Sequence, residues 1–365
     1  MIKVATILGT RPELIRLSEI IKKLDKYTNH IFVHTNQSFD YEMSQIFLDE
    51  LGIREPDYNL DVKADTVGGQ IGNILVRCEQ VLLKEKPDAV LILGDTNSAL
   101  SCIIAKRLKI PIFHMEAGNR SFDENVPEEI NRRIVDHTSD IGMCYTEHAR
   151  RNLLREGLAP QDVYVVGSPL SEVYSAHKKS IEESKVLGSL NLEQGKYFLA
   201  SIHREENVDK EINLRSIIKS LRTLDKEYKM PIILSTHPRT GNKLMNIDCG
   251  RVILHKPFGM LAYIKLQQNS YCALSDSGTI HEDAAILGIP AINVRESNER
   301  PEAYDAGNVI MTGVDPDTIL NAVKVVRGQI GVKFENPYNG DNCADKVVRL
   351  ITGLHKIVKQ RKYCL

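Results

Sequence analysis

The sequence lacks most of the signatures that would tie it to metals, disulfides or membranes. Its seven cysteines, Cys78, Cys102, Cys144, Cys249, Cys272, Cys343 and Cys364, are scattered. None forms a CxxC pair or a zinc-like spacing, which argues against a disulfide framework or a thiolate metal site. The 11 histidines include no HExxH pair, so no metal is expected. No apolar run approaches the ~18–20 residues that span a bilayer. The opening "MIKVATILGT" is one short apolar run followed by a turn and does not read as a signal peptide. The closing "RKYCL" is not a prenylation box, because Cys364 is second from the end, two places too late. With no excess of either charge (formal net charge -1), a broad nucleic-acid footprint is not indicated. The chain also has no Walker A loop, no GxGxxG after a strand and no GxSxG elbow, which weakens ATPase, NAD-dependent and serine-hydrolase readings. The expectation is a reduced, cytoplasmic protein without membrane insertion.

The residues that are present are ordinary for a soluble globular chain: 42% hydrophobic and 26% charged over 365 residues, a length that suits two domains. Short apolar runs alternate with amphipathic stretches. "IKVATIL", "HIFVHT", "DAVLILGD", "PIFHME", "DIGMCYT" and "DVYVVGSP" read as strands, with "ELIRLSEIIKKLDKY", "YEMSQIFLDELGI" and "SALSCIIAKRLKI" as helices. This β-then-α order predicts a parallel sheet with helices on both faces. After a polar connection over 170–196 the pattern restarts with strands "YFLASIH", "PIILSTH", "RVILH", "YCALSD" and "PAINVR". The expected fold class is α/β, with two doubly wound Rossmann-like domains facing a cleft. The expected boundaries are 1–169 and 170–345, with a terminal amphipathic helix over 346–365.

Open α/β sheets take ligands beyond the carboxyl ends of their strands, so the residues placed there matter most. "GTRPE" follows the first strand: Thr10 is a candidate helix cap, Pro12 suits the first turn, and Arg11 and Arg16 lie near a positive helix start. Asp95 ends another strand in "GDTNS" and reads either as an N-cap or as a functional carboxylate. Glu116 follows the buried run "IPIFHM", where an unpaired carboxylate is costly. In "VPEEINRR", Glu128–Arg132 and Glu129–Arg133 have the i,i+4 spacing of a self-paired helix surface. In the second half His203 and Arg204 follow a strand in "SIHREEN", and His237 follows the next with weaker support. Ser277, Gly278 and Thr279 lie between strand and helix, where hydroxyls and backbone N–H groups can hold a phosphate. Glu282 and Asp283 follow within a turn as acceptors for sugar hydroxyls, and Arg300 is a candidate phosphate clamp.

Taken together, "GTRPE", "GDTNS", "HMEAGNR", "VPEEINR", "SIHREEN", "DSGTIHED" and "ERPEA" resemble the non-hydrolysing UDP-N-acetylglucosamine 2-epimerase family, in order and over nearly the whole chain. The resemblance implies a glycosyltransferase-B-like fold, a UDP-sugar substrate, no cofactor, a homodimer, and a C-terminal helix that packs back on the first domain. It implies catalytic roles for Asp95, Glu116, Glu128 and His203. Substrate binding would fall to Arg11, Arg16, Arg204, His237, Phe258, Tyr263, Ser277, Gly278, Thr279, Glu282, Asp283 and Arg300, with Tyr263 near the uracil or ribose. Three positions depart from the common pattern. Arg16 stands in place of a lysine, Thr279 in place of a glycine, and Asp283 in place of a glutamate. "EAGNRSFDENVPEE" carries Asn119 and a shorter loop than the main branch. In this it resembles the capsule and O-antigen branch that forms UDP-N-acetyl-L-fucosamine from UDP-2-acetamido-2,6-dideoxy-L-talose. UDP-N-acetylglucosamine itself is the alternative substrate. The rival classes are a UDP-sugar glycosyltransferase, a hydrolysing epimerase, and a sensor that binds without catalysis.

Overall fold

The structure is a computed structural model, and it describes residues 1–37, 47–124, 126–236, 238–244 and 247–364. The chain forms two compact units, Met1–Ala176 with Tyr338–Leu365, and His177–Pro337. These limits lie seven residues after the expected 169/170 boundary and eight before the expected 345/346 boundary.

The first unit is built on seven parallel strands in the order β3-β2-β1-β4-β5-β6-β7. They are β1 (Lys3–Leu8), β2 (Asn29–His34), β3 (Tyr58–Asn59), β4 (Ala89–Leu93), β5 (Ile112–Met115), β6 (Ile141–Cys144) and β7 (Val163–Val165). Every residue of β4 is buried, as expected for a strand covered on both faces. Its register with β1 pairs Val4 with Ala89 and Ile7 with Ile92. The helix Arg11–Tyr27 buries Leu14, Leu17, Ile20, Ile21 and Leu24. These positions recur at helical spacing on one face, and each side chain contributes roughly 1.5–3 kcal/mol by leaving water. The expected helix "YEMSQIFLDELGI" lies partly outside the described residues.

The second unit repeats the plan with six parallel strands in the order β10-β9-β8-β11-β12-β13. They are β8 (Phe198–Ser201), β9 (Ile232–Ser235), β10 (Ile253–His255), β11 (Cys272–Ser275), β12 (Ala291–Asn293) and β13 (Ile310–Met311). The two-residue edge strands β3 and β13 are additions to the elements expected from sequence, being too short to show a period. In each sheet the chain fills one side first and then crosses to the other. The switch points lie between β1 and β4 and between β8 and β11, and such points open a crevice at the strands' carboxyl ends.

The terminal helix, Cys343–Tyr363, starts before the expected residue 346 and packs on the helix Arg11–Tyr27 of the first unit. It buries Val347, Ile351 and Val358. Lys23 pairs with Asp345 at 2.6 Å and with Glu172 at 3.2 Å. At its far end the Tyr363 hydroxyl donates to Asp140 at 2.8 Å. Among the described residues no helix is long and apolar enough to cross a membrane.

Candidate active site

In the first unit the expected carboxylates lie on adjoining elements at one end of the sheet. Asp95 and Glu116 follow the neighbouring strands β4 and β5, which are joined there by the Gly94 N–H donating to the Met115 carbonyl at 3.0 Å. Asp95 is not a helix cap: the short helix that follows begins at Asn97, with Thr96 at its N-cap. The Asp95 carboxylate instead accepts from Arg132 Nε at 2.7 Å. Arg132 therefore turns inward from the helix Pro127–Thr138 instead of lying along its surface, and its Nη1 also donates to Glu129 at 3.0 Å. The expected Glu129–Arg133 pair forms at 3.5 Å. Glu128 is half-buried in the first turn of the same helix.

Glu129 is buried and receives the Ser121 N–H and hydroxyl, both at 3.0 Å. Burial alone would raise its pKa. The Ser121 N–H, Arg132 and the Ser121 hydroxyl together hold it below the usual carboxylate range. It is an anchor for the loop after β5.

Glu116 occupies a left-handed backbone conformation, φ 63°, which costs a non-glycine residue of the order of 1–3 kcal/mol and persists only where its surroundings impose it. The imposing structure is a buried network. Asp136 accepts from the Gly118 N–H at 3.1 Å and from Arg120 at 2.7 Å, and pairs with His114 at 2.8 Å. Arg120 extends the network by a two-pronged contact with Glu156. A side chain at Gly118 would collide with the Ala149 carbonyl, and its φ is 86°, so glycine is required there. Thus aimed, Glu116 lies 3.8 Å from Arg16 Nε and accepts from Asn119 Nδ2 at 3.3 Å. Arg16 is buried and sits over the Tyr145 ring, whereas Arg11 is exposed over Phe47.

Thr10 stands at the N-cap of its helix but makes no side-chain cap. Its hydroxyl donates instead to Glu13, a buried acid not singled out from the sequence. Burial pushes the Glu13 carboxyl up to about 7 against the opposing pull of Thr10, Gly9 and Thr96.

The second unit presents the opposite chemistry at its switch point. The buried Asp276, which follows β11, accepts from the backbone N–H groups of His203 and Arg204 at 3.0 Å each and from Asn207 at 3.1 Å. It thereby fixes the turn after β8. Asp276 is a second residue the sequence reading missed, although an acid directly after a strand was the available signal. His203 lies 3.4 Å from Asp276 through Nδ1, and 42% of its side chain remains exposed.

Arg204 and Arg300 converge on Gly278. A Cβ placed there would lie 2.8 Å from Glu299 Oε1, 3.6 Å from Arg204 Nη2 and 3.8 Å from Arg300 Nε. Glu299, also missed, bridges Arg204 at 3.6 Å and Arg295 at 2.9 Å. The Ser277 and Thr279 hydroxyls meet at 3.0 Å beside this glycine. The Glu282 carboxylate, expected to accept from sugar hydroxyls, is fully buried and faces Arg300 at 2.7 Å. Asp283 is also buried and accepts from Gln267 at 2.8 Å. Tyr263 and Phe258 belong to one apolar cluster with Leu266, and Phe258 stacks on His255 at 4.0 Å. Burial drives the Tyr263 phenol above its usual range. His237 lies outside the described residues. Among the described residues no group of three or more His, Cys, Asp or Glu is placed to hold a metal ion.

A family model described as UDP-N-acetylglucosamine 2-epimerase matches residues 22–352. The solved structure of UDP-N-acetylglucosamine 2-epimerase from Rickettsia bellii is 44% identical, with a TM-score of 0.92 over 100% of both chains. That of the Methanocaldococcus jannaschii enzyme in complex with UDP-GlcNAc and UDP is 37% identical, with a TM-score of 0.89 over 96% of this chain and 99% of that one. A UDP-2,3-diacetamido-2,3-dideoxy-D-glucuronate 2-epimerase of Pseudomonas aeruginosa is 35% identical over 96% of this chain and 100% of its own. The fold is the expected α/β, glycosyltransferase-B-like class, with two parallel sheets.

Proposed function

The chain belongs to the UDP-N-acetylglucosamine 2-epimerase family of isomerases, and from that premise we propose that it inverts C2 of a UDP-2-acetamido sugar through a glycal. The observation that carries this reading is the division of chemistry between two like-built switch points. One carries Asp95 and Glu116 after neighbouring strands, with Glu128 in the first turn of the helix whose Arg132 pairs with Asp95; the other carries Arg204, Arg300 and the Ser277–Thr279 turn around Gly278.

The C2 hydrogen of such a sugar is not α to a carbonyl, so it is abstracted only as the C1–oxygen bond breaks. In the forward half, the C1–O electron pair leaves with UDP. A carboxylate takes the C2 proton, and the C–H pair becomes the double bond of a 2-acetamidoglycal. In the return half, a second acid delivers a proton to the opposite face of C2, and the UDP oxygen re-forms its bond at C1. No electrons are gained or lost overall, so no redox cofactor is required. Cations and hydroxyl dipoles stabilise the departing diphosphate, the role assigned to Arg11, Arg204, Arg300, Ser277 and Thr279. Asp95, Glu116 and Glu128 are the proton-transfer groups, and His203 contacts the diphosphate or relays a proton.

For the sugar, the proposed substrate is UDP-2-acetamido-2,6-dideoxy-L-talose, with UDP-N-acetyl-L-fucosamine as product, in capsule or O-antigen precursor synthesis. Asn119, which carries that assignment, donates to Glu116 and so stands at a proposed reacting group. The second reading, UDP-N-acetylglucosamine, is favoured by the names of the relatives. The enzyme is proposed to act as a homodimer in the cytoplasm. The test is to incubate the protein with each UDP-sugar in D2O and follow the products by NMR. Deuterium at C2 with the UDP-sugar retained supports the epimerase, and free sugar points to hydrolysis. No exchange with either sugar overturns the proposal.

A further inference from the structure

Glu13 is 2% exposed and sits in the first turn of the helix Arg11–Tyr27. A cap role within its own helix would account for one side of its carboxylate, where Oε2 accepts from the Gly9 N–H at 3.1 Å and the Thr10 hydroxyl at 2.7 Å. It does not account for the other side. Oε1 accepts from the Thr96 hydroxyl at 3.1 Å, and Thr96 is 83 residues away in the turn after β4. The two oxygens therefore join the turns on either side of the switch point, one carrying Arg11 and the other Asp95. The same seam is tight elsewhere. Thr35 and Ser98 share a hydroxyl contact at 2.7 Å, and a side chain at Gly9 would collide with both of those oxygens.

We propose that Glu13 is a positioning residue for the isomerase reaction, holding the Arg11 turn and the Asp95 turn in register across the β1–β4 switch point. This rests on the functional reading above and adds a group to which that reading gives no part. Buried three-donor clamps of this kind fix geometry because each donor left unmatched costs the full desolvation of a polar group. The carboxylate itself touches backbone and hydroxyls of its own unit, so its effect is exerted through Asp95 and Arg11.

Positioning and proton transfer predict different behaviour of Glu13→Gln. A glutamine keeps an acceptor for the Gly9 and Thr10 donors, while its amide donates to a reoriented Thr96 hydroxyl. It therefore preserves the clamp but carries no exchangeable acid. Turnover is measured with the UDP-2-acetamido sugar that wild type labels at C2 in D2O, and folding is checked by circular dichroism. Glu13→Ala and Thr96→Val should each lower kcat about tenfold with KM within about twofold, and the double variant should be no worse than Glu13→Ala. Glu13→Gln should stay within a few-fold of wild type. If the alanine chain does not fold, Thr96→Val decides alone, because it removes only the link to the second turn. Wild-type kcat in Thr96→Val, or a loss confined to KM, overturns the inference. A Glu13→Gln chain as inactive as Glu13→Ala overturns it in favour of proton transfer. A wild-type chain that labels neither sugar overturns the isomerase reading and this inference with it. Labelling by wild type with full kcat in the variants overturns this inference alone.

Discussion

The β1–β4 and β8–β11 switch points share strand order and parallel register, yet they are dressed in opposite chemistry. The first is rich in acids: Glu13 in the wall, Asp95 braced by Arg132, and Glu116 set in a strained backbone position. The second is rich in cations and hydroxyls around a glycine, with Asp276, Glu282 and Glu299 serving as internal counter-charges. The fold supplies a crevice in both cases and the side chains decide what it does. An elimination that expels a diphosphate and moves a carbon-bound proton needs both kinds of dress, and here each unit carries one.

The two chemistries should be separable by substitution. Asp95→Asn and Glu116→Gln should each reduce C2 exchange by about 10³-fold or more, within the range a general acid or base supplies. UDP affinity by calorimetry should stay within about twofold. Loss of UDP binding in these variants would instead make the acids part of nucleotide binding.

The buried titrating groups give a contrast in stability. The Glu13 carboxyl is pushed up from 4.5 to about 7, first by burial. Its contribution is fully present below pH 4.5 and is lost as pH rises through about 7, a change of about 3 kcal/mol at 1.36 kcal/mol per unit. His281, in the second unit, is driven down from 6.5 to about 4 by burial. It contacts the Gly278 carbonyl at 3.0 Å and the Tyr304 hydroxyl at 2.8 Å. Its contribution is present above pH 6.5 and is lost as pH falls through about 4, by a similar amount. Glu13→Gln should flatten the fall on the alkaline side, and His281→Asn the fall on the acid side, in urea unfolding followed between pH 4 and 8. Unchanged slopes would contradict these assignments.

Smaller effects sharpen the picture. Gly278→Ala places a methyl 2.8 Å from Glu299 Oε1 and should weaken UDP binding about tenfold, one 1.4 kcal/mol step. Proton exchange at saturating substrate should change little. Asn119→Leu should shift the ratio of kcat/KM between the 6-deoxy-L-sugar and UDP-N-acetylglucosamine by a few-fold, leaving UDP affinity unchanged.

The strands that build both crevices are legible in the sequence because they are buried on both faces, and "AVLIL" can hardly be anything else. The edge strands β3 and β13 are not, since two residues carry no pattern. The positions of Asp95, Glu116, His203, Arg204 and Gly278 just beyond strand ends are legible in the same way. Asp95 also reads as a possible cap because a cap is a local solution, and the true partner, Arg132, lies 37 residues on. The same limit hid Glu13, Asp276 and Glu299: each looks like a local turn or helix acid until a partner 70 to 95 residues away in sequence is brought beside it. Glu282 was legible as an acid one turn after Ser277–Thr279, but its approach to Arg300, 18 residues on, was not.

In the proposed reaction, bond cleavage at C1 and proton movement at C2 belong to one turnover. The direct measurement uses a UDP-2-acetamido sugar carrying ¹⁸O in the C1–O–P bridge, incubated with wild type in D2O and observed by NMR. The expected result is that ¹⁸O moves from the bridge into non-bridging β-phosphoryl positions as deuterium enters C2, with the nucleotide sugar retained. Deuterium at C2 while all the ¹⁸O stays in the bridge would contradict it.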